Sequence, residues 1–382
     1  MPSPDLLSPR ALNRALLSRQ LLLRPAAMPA AGERESEARA GRVIETVEHL
    51  VGLQAQAPFP PYYGLWSRLA GFRPDDLAGL ILSRQVVRIA LMRGTIHLVS
   101  ARDCLLLRPL VQPAVDRGMT VLLARQLAGL DTAALAAAGR VLVEERPMTF
   151  SELGAALSVR WPQHPPAALA QGVRALVPLV QVPPRAVWGA AGQAAHTSAE
   201  AWLGRPMEAS PSLDRLVTRY LAAFGPASAR DAQAWSGLTR LREVFGRLRP
   251  GLRVFRDEQG TELFDLPGAP RPDPDTPAPV RLVAEFDNLV LSHADRARII
   301  SEPDRQRMFT PNGLFPGTVL VDGFAAGMWK ITRSRAAAAL TVELFGPLGP
   351  RDRGAVTGEG GRLLAFAAPD APAHDIRFAP VT

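Results

Sequence analysis

Residues 264–282, FDLPGAPRPDPDTPAPVRL, hold six of the chain's 36 prolines. Proline fixes φ at about −65° and removes a backbone donor, so no helix or central strand survives at that density. The stretch divides the 382-residue chain into a long, mainly helical part and a shorter part of strand-like runs. That length is enough for two to four domains with cores of their own.

Upstream of the linker one order of elements recurs. "AALAAAGRVLVEERP" reads as a helix, "TFSELGAAL" as a second opened by a Thr149/Glu152 capping box, and "PPAALAQGVRALVPLV" as a third. "QVPPRAVWGAAGQAAHTS" then reads as a loose hairpin. From Leu213 the order returns. "LDRLVTRYLAAF" is followed by "GPASARDAQAW", with Ser228 three before Asp231, then by "SGLTRLREVFGRLRP" and a β-hairpin around Gly260. Helix, helix, helix, hairpin is the order of a winged helix-turn-helix, whose third helix and wing commonly face DNA. Such units also serve as protein-docking modules.

The first ~120 residues read as a longer version. Ser8-Pro9 opens a helix with Leu12, Ala15 and Leu16 on one face, which favours a folded element over a transit peptide. "ESEARAGRVIETVEHLV" carries Val43, Val47, Leu50 and Val51 on one face and stops at Gly52. "PDDLAGLILSRQVVR" reads as a helix and "IALMRGTIHLV" as strand-like with a turn at Arg93-Gly94; Ser100 and Asp103 cap "ARDCLLLRPLV". Beyond the linker, "RLVAEFDNLVL", "GTVLVDGFAAGMWKIT", "AAALTVELFG" and "RLLAFAAP" read as β-like runs of a small domain of barrel type. The expected fold class is α+β, mainly α. Three tandem winged-helix units span 1–125, 126–208 and 209–268, a linker 269–280, and a C-terminal β-rich domain 281–382.

Composition removes several classes. Hydrophobic residues are 47% and charged residues 21%, as in ordinary globular chains. No apolar run approaches the ~18 residues of a membrane helix, and a cytoplasmic monomer is expected. Cys104 is the lone cysteine, which excludes an intrachain disulfide and a cysteine-based metal cluster and suits a core position. The formal charge of +8 favours polyanions. Of 44 basic residues only Lys330 is lysine, so part of the arginine excess is codon bias.

"GLQAQAP" raises the chemical question. In extended backbone Gln54 and Gln56 point the same way, with Leu53, Ala55 and Ala57 on the other side. Each amide accepts from one partner and donates to another, which suits a fork holding a water or gripping a base edge. Glutamine is no strong general base, so such a fork catalyses only a reaction needing modest help. Cleaving the glycosidic bond of an N7-alkylated guanine is one: the base is already cationic, leaves without an acid, and a positioned water captures the oxocarbenium-like sugar.

"GLQAQAP", "GLWSRLAGF" and "LMRGTIHLV" occur in this order at close spacing after "ALNRALLSRQLLL". Together they closely resemble the winged-helix DNA glycosylases of the AlkZ type, bacterial enzymes that excise bulky N7-alkylguanine adducts and unhook interstrand crosslinks. The resemblance runs from about residue 8 to 380 and is strongest over 50–110; "EFDNLVLSHADR" also looks like a family segment. It implies tandem winged helices lining a basic concave surface. It also implies a catalytic Gln-apolar-Gln at Gln54 and Gln56, and the branch associated with self-resistance to genotoxic natural products.

The supporting residues carry two readings each. Arg93, Thr95 and His97 alternate onto one strand face, where Arg93 would meet phosphate and the others the lesion strand or the water; His97 equally suits a cap in a buried network. Arg84 and Arg88, four apart on a helix, reach phosphate or form a solvated face. Tyr62, Tyr63 and Trp66 fit core packing better than base stacking. Asp287, His293, Asp295 and Arg296 match no metal motif, and an Asp–Arg structural pair is expected. No phosphate-binding glycine loop is present. The expectation is a monofunctional DNA glycosylase acting on duplex DNA with alkylated guanine, without metal or nucleotide cofactor. The alternative is a non-catalytic winged-helix DNA binder, either a transcription regulator or a drug-sequestering protein.

Overall fold

The computed structural model describes residues 5–30, 35–308 and 315–380. The recurring order is present. Helices Thr132–Glu145, Phe150–Ser158 and Pro166–Leu176 lead into strands Leu179–Gln181 and Ala195–Ser198. Helices Leu213–Phe224, Ala229–Ser236 and Leu241–Leu248 lead into the hairpin Arg253–Asp257/Glu262–Asp265. Both expected capping boxes form: Thr149 with Glu152 and Ser228 with Asp231 each exchange side-chain and backbone hydrogen bonds. Each contributes about 1 kcal/mol to fixing where its helix begins.

The wings do not stay separate. Strands Leu53–Gln54, Ile96–Ser100 and Val86–Ala90 of the first unit continue into Leu179–Gln181, Ala195–Ser198 and Met148–Thr149 of the second as one six-stranded antiparallel sheet. Asp5–Leu7 adds in parallel to the third hairpin. The first helix, Pro9–Arg19, capped by Ser8 as the sequence implies, also ties together segments distant in sequence. Arg19, 2% exposed, makes two bonds of 2.7 and 2.8 Å to the buried Asp265, and Arg14 pairs with Asp322. Cys104 lies in the largest apolar core, with Trp235, Tyr220 and Phe224.

The C-terminal domain is β-rich but no barrel. Its five strands run in the order Arg281–Val283, Gly317–Val321, Phe324–Arg333, Ala338–Leu344, His374–Pro380, leaving two different edge strands unjoined. The run "RLLAFAAP" belongs to helix Pro350–Ala367 rather than to a strand. Val356, Gly360, Leu363, Leu364 and Ala367 form its buried face at helical spacing. Glycines disguised it. Gly360 lies against the sheet, where a Cβ would fall 2.6 Å from Leu340 Cδ2.

The expected helix through Arg88 also ends early, at Leu82. Arg84 has φ +62° and strand Val86–Ala90 begins two residues later. The β-branched Val86, Val87 and Ile89 favour the pleated conformation over another helical turn.

Candidate active site at the Gln-Ala-Gln strand

Helix Glu35–His49 is stopped by Val51 and Gly52, both at positive φ (+54° and +91°). A Cβ on Gly52 would lie 2.7 Å from Val99 Cγ1, so only glycine lets the chain turn onto the sheet here. Leu53 and Gln54 then pair with Leu98 and His97, and Ala55 N–H donates to Ile96 O at 2.7 Å. Leu53 and Ala55 enter the apolar core, and the two glutamines take the other side. Gln54 is 8% exposed and its Oε1 accepts from Arg93 Nη2 at 2.7 Å. Gln56 is exposed and its Oε1 accepts from Ile96 N–H at 3.2 Å.

Arg93 is the hub. It sits in the 3₁₀ turn Met92–Gly94 at φ +57°. Its Nη2 also donates to Asn288 Oδ1 at 3.1 Å and its Nη1 to Trp235 O. Arg174, from the second unit, donates to Gly94 O at 3.2 Å. Gly237, ending a helix of the third unit, lies against Arg93: a Cβ there would be 3.2 Å from Arg93 Cα and N. Three winged-helix units and the C-terminal segment thus meet at one turn. Asn288 is set by its neighbour Asp287, whose carboxylate makes two 2.8 Å bonds to the buried Arg68 and caps Leu289 N–H.

Burial, then the charge of Arg296, lower Arg93 to about 10, so it stays a cation at neutral pH. Burial, then Arg93, push His97 down to about 3, so it stays neutral. Its Nδ1 faces Thr95 O at 3.1 Å and must carry the proton. Nε2 is therefore a bare acceptor, and it has no partner among the described residues; neither has Asn288 Nδ2. Both unpartnered atoms belong to residues adjoining the Gln54–Arg93 pair: His97 sits opposite Gln54 in the ladder, and Asn288 accepts from Arg93 through its Oδ1.

The expected supporting residues are rearranged. Arg93, Thr95 and His97 do not share a strand face, because the turn removes Arg93 from the pleat. Thr95 Oγ1 donates to Met92 O at 3.0 Å, and only His97 lies in the strand, fully buried. Arg84 and Arg88 are not four apart on a helix. Arg84 folds over the Trp202 ring at 3.9 Å. Arg88, 2% exposed, reaches Ala55 O at 2.6 Å and Ala57 O at 3.3 Å, so it braces the glutamine loop instead of presenting a solvated face. Tyr62 and Tyr63 are packing residues: Tyr62 Oη donates to Ala186 O at 2.8 Å and both rings contact Trp188. Trp66 packs beside Phe366. Asp287 takes its structural arginine, Arg68, from a distant segment, while His293 turns to Phe224 O and Asp295 to Ala297 N–H. Among the described residues no group of three His, Cys, Asp or Glu side chains could hold a metal. No described helix is long and apolar enough to cross a membrane.

Sequence reasoning missed Asn288 and Arg68. Asn288 lay in "EFDNLVLSHADR" and Arg68 in "GLWSRLAGF", two segments singled out without these residues.

No match is found among curated proteins. The family model described as DNA glycosylase AlkZ-like matches residues 47–366. The solved structure of the DNA glycosylase AlkZ from Streptomyces sahachiroi has the same fold, with a TM-score of 0.77 over 98% of this chain and 100% of that one, at 18% identity. The matched span takes in the glutamine loop, the Arg93 turn and Asn288, and the chain belongs to the AlkZ-like DNA glycosylase family.

Proposed function

We propose that this glycosylase is monofunctional and hydrolyses the N-glycosidic bond of bulky N7-alkylguanine adducts or interstrand crosslinks in duplex DNA, as self-resistance to a genotoxic natural product. Gln54 and Gln56 hold the hydrolytic water. The observation that carries this reading is what surrounds Gln54: the Arg93 guanidinium donates to its Oε1, and His97, opposite it in the ladder, is fully buried, which favours the neutral imidazole. Neither is a general acid or base at physiological pH. A site so equipped acts on a leaving group that departs without a proton, and an N7-alkylguanine is already cationic.

The roles follow from the contacts. Arg93 occupies one lone pair of Gln54 Oε1, fixing the amide plane and leaving the other lone pair for a water proton. Gln56 Oε1 is likewise half-occupied by Ile96 N–H, at the exposed lip. A water donating to both oxygens directs its own lone pair outward to the anomeric carbon; the base leaves with the glycosidic electron pair as the C1′–O bond forms, and the proton the water sheds passes to solvent beside the exposed Gln56. A neutral His97 matters too. A second cation beside a sugar gaining positive charge would raise the barrier, and burial prevents it.

Incubation with duplex DNA bearing one N7-alkylguanine tests the reading: free base and an abasic site are expected, with normal guanine untouched. Tight binding without release would leave a non-catalytic binder. The pH profile is a sharper check. With His97 near 3 and Arg93 near 10, the single-turnover rate is expected to stay level from about pH 5 to pH 9, falling as Arg93 loses its charge. A bell centred near pH 6–7 would assign the step to a titrating base.

A further inference from the structure

On the sheet face opposite Gln54, neighbouring strands place Arg88, Gln181 and His196 in one cross-strand row. Adjacent strands lie about 4.8 Å apart, so the three side chains are in mutual reach. Arg185 joins from the loop after Gln181, and Arg174 from helix Pro166–Leu176. The charge of Arg185 acts on Arg88, and those of Arg174 and Arg88 act on His196. Among the described residues none of the three arginines is in an ion pair with a carboxylate. Five buried polar atoms here lack any partner: Arg88 Nε and Nη1, Gln181 Oε1, Arg185 Nε and His196 Nδ1. A buried, unpaired Arg88 beside two half-buried arginines, with hydrogen bonds unmade, is costly unless a ligand completes it.

We propose that this row is an anion site that takes a phosphate oxyanion, and that its occupancy stiffens the catalytic loops. The arginine N–H groups donate to the oxyanion, and the Gln181 amide turns either its NH₂ or its oxygen inward as the ligand requires. Coupling to catalysis is built into the same side chains. Arg88 Nη2 holds Ala55 O and Ala57 O, on either side of Gln56, and Arg174 holds Gly94 O, next to Arg93. An anion that fixes these two arginines fixes both loops of the glutamine cluster.

Two sources share this chemistry, a DNA phosphodiester and free phosphate, and Gln181→Glu separates them. The substitution keeps the size of residue 181 and supplies the missing carboxylate internally. Inorganic phosphate is titrated at constant ionic strength, balanced with sodium chloride, while the thermal midpoint is read; the salt dependence of affinity for undamaged duplex is measured in parallel. Wild type is expected to rise by several degrees with phosphate, and Gln181→Glu to start higher and not respond. If DNA supplies the oxyanion, the variant's log K against log salt slope is shallower by about one. An unchanged slope with an intact phosphate response assigns the site to the free ion. Arg185→Gln, at a half-buried loop position, is the second variant and should weaken phosphate binding about tenfold. A wild type indifferent to phosphate together with an unchanged slope in Gln181→Glu overturns the site, as does a phosphate response that both variants retain in full. Base excision is not a readout here, so the outcome is separate from that of the proposed reaction.

Discussion

Gln54→Ala is expected to slow base release by about 10²–10³-fold in single turnover while leaving the affinity for duplex DNA nearly unchanged. The size is that of losing one preorganised polar group from a water-poor site. Affinity survives because it comes mostly from phosphate contacts spread over the surface. Gln56→Ala should cost less, about 10–10²-fold, since Gln56 is exposed and its water contact competes with solvent. Its thermal midpoint should fall only slightly, because water at the exposed position can take the Ile96 N–H that Gln56 leaves, so most of the loss is chemical. Gln54→Ala also strands one of Arg93's hydrogen bonds, and a modest drop in midpoint is expected there. Gln54→Glu distinguishes two roles. A carboxylate keeps the acceptor oxygens and pairs with Arg93 but loses the NH₂ donor. If holding the water by its protons is what counts, Gln54→Glu retains far more activity than Gln54→Ala. Equal loss in both assigns the role to the donor end. Full activity in Gln54→Ala and Gln56→Ala alike removes the water-holding mechanism while leaving the enzyme class intact.

What the sequence could show was what local chemistry writes into it. The Ser8, Thr149 and Ser228 caps, the stop at Gly52 and the turn at Gly260 each involve residues within a few positions, and each formed. The glutamine pair was legible for the same reason, because alternation fixes its side of the strand. Arg88 was misread because "LILSRQVVR" satisfies a helical pattern until β-branched residues outweigh it, and a buried arginine looks like a surface one in sequence. Helix Pro350–Ala367 was hidden because four glycines interrupt its pattern, one of them, Gly360, where it meets the sheet. The hub itself has no local signature: Arg93 and Asn288 are 195 positions apart. Only the folded chain shows that the charge holding Gln54 is itself held by the C-terminal segment.

That dependence yields the second large effect. Arg68→Leu is expected to destabilise the protein by about 3–5 kcal/mol, because it leaves Asp287 as a buried, uncompensated carboxylate. Denaturant or thermal unfolding measures it. Arg68→Leu with Asp287→Leu removes both charges and should recover most of that loss, apart from roughly 1 kcal/mol for the cap that Asp287 places on Leu289 N–H. Recovery of stability is not expected to restore the reaction. Arg68 also donates to Gln20 Oε1, and Gln20 Nε2 donates to Ala223 O, so one polar chain runs from the third unit through Arg68 and Asp287 toward Asn288, Arg93 and Gln54. A leucine pair fills the space without directing the Asn288 amide. The double variant should therefore fold nearly as well as wild type yet release base about tenfold more slowly, with undiminished DNA binding. A double variant that is both stable and fast would show that Arg93 orients Gln54 without the C-terminal segment, and would reduce the ion pair to a matter of folding.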